Sequence, residues 1–331
     1  MDLPRIASWA ANTPWAISED KLVAIAMALA VRIQGVGADS SRIASARSKR
    51  RQGDQPLQQD LAGNRQRINN SSGTPGGETR SITILPIYGT ICPRMHQLED
   101  GSGGISCERI GLWLQQAAND AKVGGIVLDI DSPGGSAFGV AELAAQIRAV
   151  NATKPVMAIA NHEACSAAWW LASAAGEVGM TSSAIVGSQG VYMIHQSFAK
   201  ALEQEGVETT MIQAGQFKLI GNPFAPLDDT AKAKLQEWVD RTYSKFTADV
   251  ASYRGKSEQY VKEHFGQGWI LHSDNARKVG MVDRVGNFDE LVNDFASRVL
   301  TPVKSNKAAA ASRQRDIEIA RAKLAISENV R

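Results

Sequence analysis

Three short segments carry the residue types that could do chemistry. The first is Asp131-Ser132-Pro133-Gly134-Gly135, which follows an apolar run and precedes a helical pattern. Adjacent glycines let the backbone turn tightly and expose amide N–H groups. Such groups can hold an oxyanion if a nucleophile lies opposite. An ordinary strand-to-helix turn would use the same residues. The second is Ala164-Cys165-Ser166-Ala167-Ala168-Trp169, again after a strand pattern and opening a run of small residues. A serine there either caps a helix N-terminus or presents a hydroxyl whose developing charge the helix favours. The third is Gly215-Gln216-Phe217-Lys218, leading into Gly221-Asn222-Pro223-Phe224. A lysine in this apolar, glycine-flanked stretch becomes a base if burial depresses its pKa, and is a plain surface cation otherwise.

The elements that must position these segments alternate in type. Strands are expected at Ser81 to Ile91, Gly125 to Ile130, Pro155 to Ala160, Val178 to Met180, Gly190 to Ile194, Thr209 to Gln213 and Trp269 to Leu271. Helices are expected at Ile105 to Lys122, Ala141 to Val150, Ser166 to Ala175, Phe198 to Glu205, Asp228 to Tyr253, Ser257 to Phe265 and Asp289 to Val299. Strands alternating with helices over this length predict one α/β domain, placed at residues 81–296. Residues 1–37 are expected to be an N-terminal helical segment. It has an extended lead-in at Thr13-Pro14-Trp15 and a helix from Glu19 that stops at Gly35 and Gly37. Residues 38–80 are polar and basic, and read as a disordered linker. Residues 297–331 read as a polar helical or disordered tail.

Taken together, in order and at their spacing, the segments resemble the signal peptide peptidase A family of Ser–Lys peptidases. The nearest likeness is to its phage branch, the capsid-assembly (head maturation) proteases. Ser132-Pro133-Gly134-Gly135, Ala164-Cys165-Ser166-Ala167, Gly187-Ser188-Gln189-Gly190-Val191 and Lys218 leading into Gly221-Asn222-Pro223 carry the resemblance, with Lys218 standing 52 residues beyond Ser166. Asn12-Thr13-Pro14-Trp15 also looks like the phage branch. The resemblance covers about residues 81–290.

It implies that Ser166 is the nucleophile and that neutral Lys218 is the general base. The backbone N–H groups of Gly135 and Ala167 would form the oxyanion hole, with Gly134 shaping the turn. Ser188 would orient the lysine. The implied fold is crotonase-like, shared with the Clp protease subunit: a superhelix of ββα units that commonly assembles into rings. No metal and no other cofactor is implied. The implied substrates are proteins, namely the phage scaffold, portal or capsid protein.

The sequence departs from the family at several points. Gln189 stands where an apolar residue is usual, Ala168 replaces a common glycine, and Leu219-Ile220 replaces a more polar pair, which predicts a drier site. No membrane anchor and no long scaffold extension are visible. The missing anchor favours the phage role over signal-peptide degradation, whereas the near-absent extension departs from some phage members.

Three alternatives stay open within the site. His195, 29 residues after Ser166, stands in a segment like that of a Ser–His–Asp enzyme. His162 lies four residues before the serine, and Cys165 is its direct neighbour. At the level of function, the alternatives are a bacterial cytoplasmic signal-peptide-peptidase-like protease, a crotonase-like acyl-CoA enzyme, and a catalytically weak scaffold protein of the same fold.

Composition bounds the rest. The chain has 331 residues, 36 basic and 34 acidic, with 44% hydrophobic and 21% charged. A net charge of +2 does not describe a polyelectrolyte built for phosphate backbones, so no nucleic acid is required. The balance hides a split, because residues 38–80 and 301–331 each carry an excess of four positive charges. Three cysteines, Cys92, Cys107 and Cys165, show no zinc-ligand spacing and suit a reducing compartment. The longest apolar run, Leu22 to Val31, is ten residues, too short to span a bilayer. The expected location is cytoplasmic: the host cytoplasm, or the prohead if the source is viral.

Overall fold

The computed structural model describes residues 15–17, 55–60, 62–67, 80–94 and 104–301. Strands and helices alternate through it. A short strand β1 (Trp15–Ile17) is followed by β2 (Leu57–Gln59) and β3 (Arg65–Arg67). Then come β4 (Ser81–Tyr88), β5 (Thr90–Cys92), β6 (Gly104–Ser106) and helix α1 (Cys107–Asn119). The pattern repeats with β7 (Val123–Ser132), β8 (Gly134–Ser136) and α2 (Val140–Asn151). Next are β9 (Val156–Cys165), α3 (Ala167–Ser173), β10 (Glu177–Met180) and β11 (Ile185–Gly187). The remainder is α4 (Ala199–Gln204), α5 (Asp229–Arg254), α6 (Glu258–His264), β12 (Ile270–His272), α7 (Ser273–Lys278), β13 (Arg284–Val285) and α8 (Phe288–Leu300).

The large sheet runs β12-β11-β9-β7-β4-β2-β3, with β10 joining β9 and β13. Its centre is parallel: β4 on β7, β7 on β9, and β9 on both β10 and β11. Strand β9 changes partner along its length. Residues 157–160 pair with β10, and residues 163–165 pair with β11. Past that switch β9 stays in the large sheet beside β11 and ends at Cys165, directly before Ser166. A small second sheet, β1-β8-β5-β6, sits beside it. The first two ββα units turn from the large sheet into the small one at a glycine: Gly89 (φ 73°) between β4 and β5, and Gly134 (φ 103°) as the first residue of β8.

Alternation along the central strands separates two cores. Leu85, Ile87, Ile126, Leu128, Ile130, Ala158 and Ala160 face the larger one, beneath α1, α2 and α3. Ile82, Ile84, Val127, Met157 and Ile159 face the other side, against Leu291, Val292, Phe295 and Ala296 of α8. Fully buried strands of this kind read as near-continuous apolar runs, which is why β7 and β9 stand out in the sequence.

A mixed α/β domain is what the residue pattern predicts, and ββα units are what the family resemblance implies. Three expectations need correction. The linker read as disordered contains a hairpin, β2 with β3, added antiparallel to β4. Side-chain contacts hold it in place of apolar bulk: Gln59 donates to Asn293, Arg65 donates to Gln59, and Arg65 pairs with Asp289 at 2.7 Å. Gly190 to Ile194 and Thr209 to Gln213 are not strands. The strand in that region is β11, and the latter segment lies exposed with no sheet edge to join. The last helix runs to Leu300, which is buried against the second core, so a boundary at residue 296 cuts through it. Strand β1 takes up Trp15 of the extended lead-in expected at Thr13-Pro14-Trp15. The helix expected from Glu19, the rest of the linker and the tail beyond Thr301 lie outside the described residues. No helix among the described residues is long and apolar enough to cross a membrane.

Candidate active site

The site begins where β9 gives way to α3. Ser166 has φ 56° and ψ −117°, a backbone region that L-residues rarely adopt. It is 1% exposed, and its N–H donates to the Gly187 carbonyl at 2.7 Å. Its hydroxyl makes no capping hydrogen bond to α3. Helix capping, the commonest reason for a serine at such a place, therefore does not account for it. Strained strand-to-helix turns of this kind also occur where a serine serves as a nucleophile in other hydrolase folds.

Packing over-determines that turn. All seven residues of α3 are buried. Trp170 stacks on Phe246 at 4.5 Å between centroids and donates Nε1–H to Asp249 at 3.1 Å. Trp169 meets Phe265 edge-on and donates Nε1–H to Gln189 at 3.3 Å. Gln189 in turn donates to Thr247 at 3.4 Å. The residue that departs from the family is thus a satisfied buried amide joining the serine helix to α5.

The glycine turn is built with equal care. Ser132, wholly buried, donates its Oγ–H to the Gly89 carbonyl at 2.6 Å and accepts from the Gly134 N–H at 3.2 Å. Gly135 lies opposite Ile91 so tightly that a Cβ would sit 1.8 Å from the Ile91 carbonyl oxygen. Only glycine fits. Strand β8 also packs against α3, so the turn and Ser166 share one region. Ala167, the second expected oxyanion donor, follows Ser166 as the first residue of α3 and is fully buried.

Ser188 has φ 51° and donates its N–H to the Trp269 carbonyl at 2.8 Å. It is tied to Ser166 through one residue, since Gly187 accepts from the Ser166 N–H. Lys218 lies elsewhere. It stands in a turn closed by its own N–H to the Gly215 carbonyl at 3.0 Å, and it is exposed. Among the described residues no hydrogen bond joins it to Ser166. The burial expected for Lys218 is therefore not found among the described residues: residues 207–218 are exposed throughout, with Lys234 of α5 reaching over the Phe217 ring at 5.9 Å. Leu219 and Ile220 are only half-buried.

The rival residues can be placed. His195 Nε2 lies 2.9 Å from the Asn222 carbonyl, an atom that only accepts, so this nitrogen carries the proton. The ring ties its segment to the turn that bears Lys218. His162 is exposed and stands 3.5 Å from Asp131. Burial, followed by the charge of Glu163, pushes the Cys165 thiol up to about 12. A thiol held there is not ionised at neutral pH, and the thiolate is the nucleophilic form. Among the described residues no group of His, Cys, Asp and Glu could hold a metal ion.

One buried acid went unnoticed in the sequence. Asp129 accepts hydrogen bonds from Tyr88 and, at 3.2 Å, from Asn161. Burial raises its pKa and Asp131 adds to the rise, against those two hydrogen bonds and the nearby His162. The fold thus holds this proton more tightly than the unfolded chain does. The stabilisation is complete below about pH 4 and is lost as pH rises through the folded value. Asp129→Asn is expected to flatten this dependence. As pH rises above about 4, its melting temperature should fall less than the wild type's, by about 2–4 °C for each kcal/mol involved; parallel curves in thermal melts would count against it.

Comparison with known proteins agrees with the motifs. Residues 148–300 match the model of peptidase family S49. The chain is 38% identical over 211 residues to the capsid assembly protease C of Escherichia phage lambda, covering 64% of this chain and 48% of that protein. It is 34% identical over 223 residues to the head-tail preconnector protein GP5 of Enterobacteria phage P21, covering 67% and 44%. Protease 4 of Haemophilus influenzae is 27% identical over 213 residues, with 64% and 34% covered. The chain spans about half the length of the two phage relatives it matches. A solved ClpP1 mutant from Listeria monocytogenes overlays with a TM-score of 0.38 at 16% identity, over 63% of this chain and 94% of that one. The fold described above rests on the strand order, not on that overlay. The family model, the relatives and the ordered motifs coincide, and over residues 148–300 the chain matches peptidase family S49, the signal peptide peptidase A family.

Proposed function

We propose that this chain is a serine endopeptidase that uses Ser166 as nucleophile and Lys218 as general base. The observation that carries the reading is the strained, fully packed turn at Ser166, whose hydroxyl caps nothing and which lies beside the Gly134-Gly135 turn. In the reaction, Ser166 Oγ attacks the scissile carbonyl carbon while the neutral Lys218 amine takes its proton. The Gly135 and Ala167 N–H groups hold the resulting oxyanion. Collapse expels the amine, which leaves with the proton from Lys218. Water then attacks the acyl-enzyme, gives a proton to Lys218, and frees Ser166 as that proton returns to Oγ.

The exposed lysine turn must close over Ser166 for this to happen. His195, bonded to Asn222, moves with that turn and supports it without acting as the base. The surface around it is apolar, with Ile212 93% exposed and Phe217, Phe224, Ile194 and Phe198 also uncovered. Such a surface favours a ring of identical subunits, in which neighbouring copies bury the turn.

The substrate reading follows the higher identity to the lambda capsid assembly protease than to protease 4. We assign the chain to proteolysis during phage capsid assembly, on scaffold, portal or capsid protein, in the host cytoplasm or the prohead. A signal-peptide-peptidase-like role in a bacterium is the second reading, favoured by the likeness to protease 4.

Hydrolysis of a fluorogenic peptide library as a function of pH tests the base. A lysine works only when neutral, so turnover should rise between pH 6 and 9. Lys218→Ala should lower kcat by about 10²–10⁴, and His195→Ala by less than about tenfold, the scale of a lost supporting hydrogen bond. The reverse ranking, or a falling profile, would exclude Lys218.

A further inference from the structure

The small sheet poses a problem of access. Strand β8 carries Gly135, whose N–H is assigned to the oxyanion. One edge of β8 is closed by β5, at the Ile91 contact where not even a Cβ fits. An extended peptide that brings its carbonyl to this strand must use the other edge. That edge is occupied. Residues Trp15–Ile17 lie on it antiparallel, with Trp15 opposite Ser136, Ala16 opposite Gly135 and Ile17 opposite Gly134.

We infer that the chain's own residues 15–17 are a resident ligand of the peptide-docking edge, and that a substrate must displace them. The partner that fits this edge is an extended peptide, read through its backbone by strand addition. The inference rests on the proposed role of Gly135 and Ser166.

Three features make the resident strand exchangeable. It is three residues long and bounded on its N-terminal side by Pro14, which has no N–H to extend the ladder. It forms the outer strand of its sheet. It also connects to the rest of the chain through a long intervening stretch, since β2 begins at Leu57. A tethered segment of this kind competes at an effective concentration in the millimolar range. If it is docked about nine-tenths of the time, it raises the apparent KM about tenfold and leaves kcat unchanged.

The full-length double variant Ala16→Pro/Ile17→Pro tests this, because adjacent prolines remove the N–H at whichever position faces β8. Its KM for an extended fluorogenic peptide should fall about tenfold at constant kcat. A synthetic peptide of residues 13–18 should inhibit it competitively, and inhibit the wild type more weakly. An unchanged or raised KM, or no inhibition, overturns the inference.

A second check uses a reversible lock, Trp15→Cys/Ser136→Cys. Oxidation should abolish peptide cleavage and reduction restore it; equal activity in both states overturns the inference. Binding of the labelled 13–18 peptide to the double-proline chain carrying Ser166→Ala, followed by anisotropy, needs no turnover. Binding there with no cleavage by any form would sink the catalytic reading and leave the docking edge standing. Absence of binding alongside Ser166-dependent cleavage would do the opposite.

Discussion

Replacing Ser166 with alanine is expected to lower peptide turnover by about 10⁴-fold or more, the scale seen when a covalent nucleophile is removed. The fold should survive, since the neighbouring contacts belong to other residues. Trp170 keeps its stack on Phe246, and the residue 166 N–H keeps the Gly187 carbonyl. Glycine at the same position separates strain from chemistry. At φ 56° and ψ −117° a Cβ is unfavourable, by about 1–3 kcal/mol. Ser166→Gly should therefore be as inactive as Ser166→Ala and melt higher. Thermal melts beside peptide hydrolysis show both effects. A glycine variant less stable than the alanine variant would mean that the serine backbone is not strained.

Gly135→Ala is expected to fail in both activity and stability. The added methyl would lie 1.8 Å from the Ile91 carbonyl oxygen and 2.6 Å from the Ile91 N and C, all backbone atoms that cannot rotate away. Strand β8 must leave β5, which displaces the Gly135 N–H from the place where the oxyanion would form. Overpacking of a rigid contact costs about 1–3 kcal/mol or more. Loss of one oxyanion donor removes about 10²–10³ in kcat. Gly206→Ala is the matched control: φ is also positive, at 72°, but nothing lies within 4 Å of the new methyl. It should cost only about 1 kcal/mol and leave kcat alone. Equal behaviour of the two variants, in melts and in hydrolysis, would remove Gly135 from the site.

The parts of the molecule that were legible from sequence share a cause. Strands β7 and β9 are buried on both faces and are therefore written as unbroken apolar runs. Helices α5 and α8 carry both a cap and an apolar stripe: Asp228 accepts from the Ala231 N–H at 2.7 Å, and Asn287 forms a capping box with Glu290. The Ser166 and Gly134-Gly135 segments were readable because each sits at the end of such a strand. What escaped depends on contacts distant in sequence. The β2–β3 hairpin is held by Asn293 and Asp289, more than 220 residues away along the chain. Strand β8 is three residues of glycine and serine, which no periodicity marks. The role of Ser132 needs the Gly89 carbonyl brought across from another strand. Asp129 looked like one more residue of an apolar run, and only its bonds to Tyr88 and Asn161 show it as a buried acid. Among the described residues Lys218 lies in an exposed turn, and Lys234 reaches over its neighbour Phe217 without burying it.

The central claim is that Ser166 is the nucleophile and that a lysine activates it. Fluorophosphonate labelling followed by peptide mapping of the adduct tests this most directly. The account predicts one adduct, on Ser166, formed faster as pH rises from 7 to 10, absent in Ser166→Ala, and absent or sharply slowed in Lys218→Ala. An adduct on another residue, no adduct at any pH in this range, or labelling that survives Lys218→Ala and disappears in His195→Ala would contradict it.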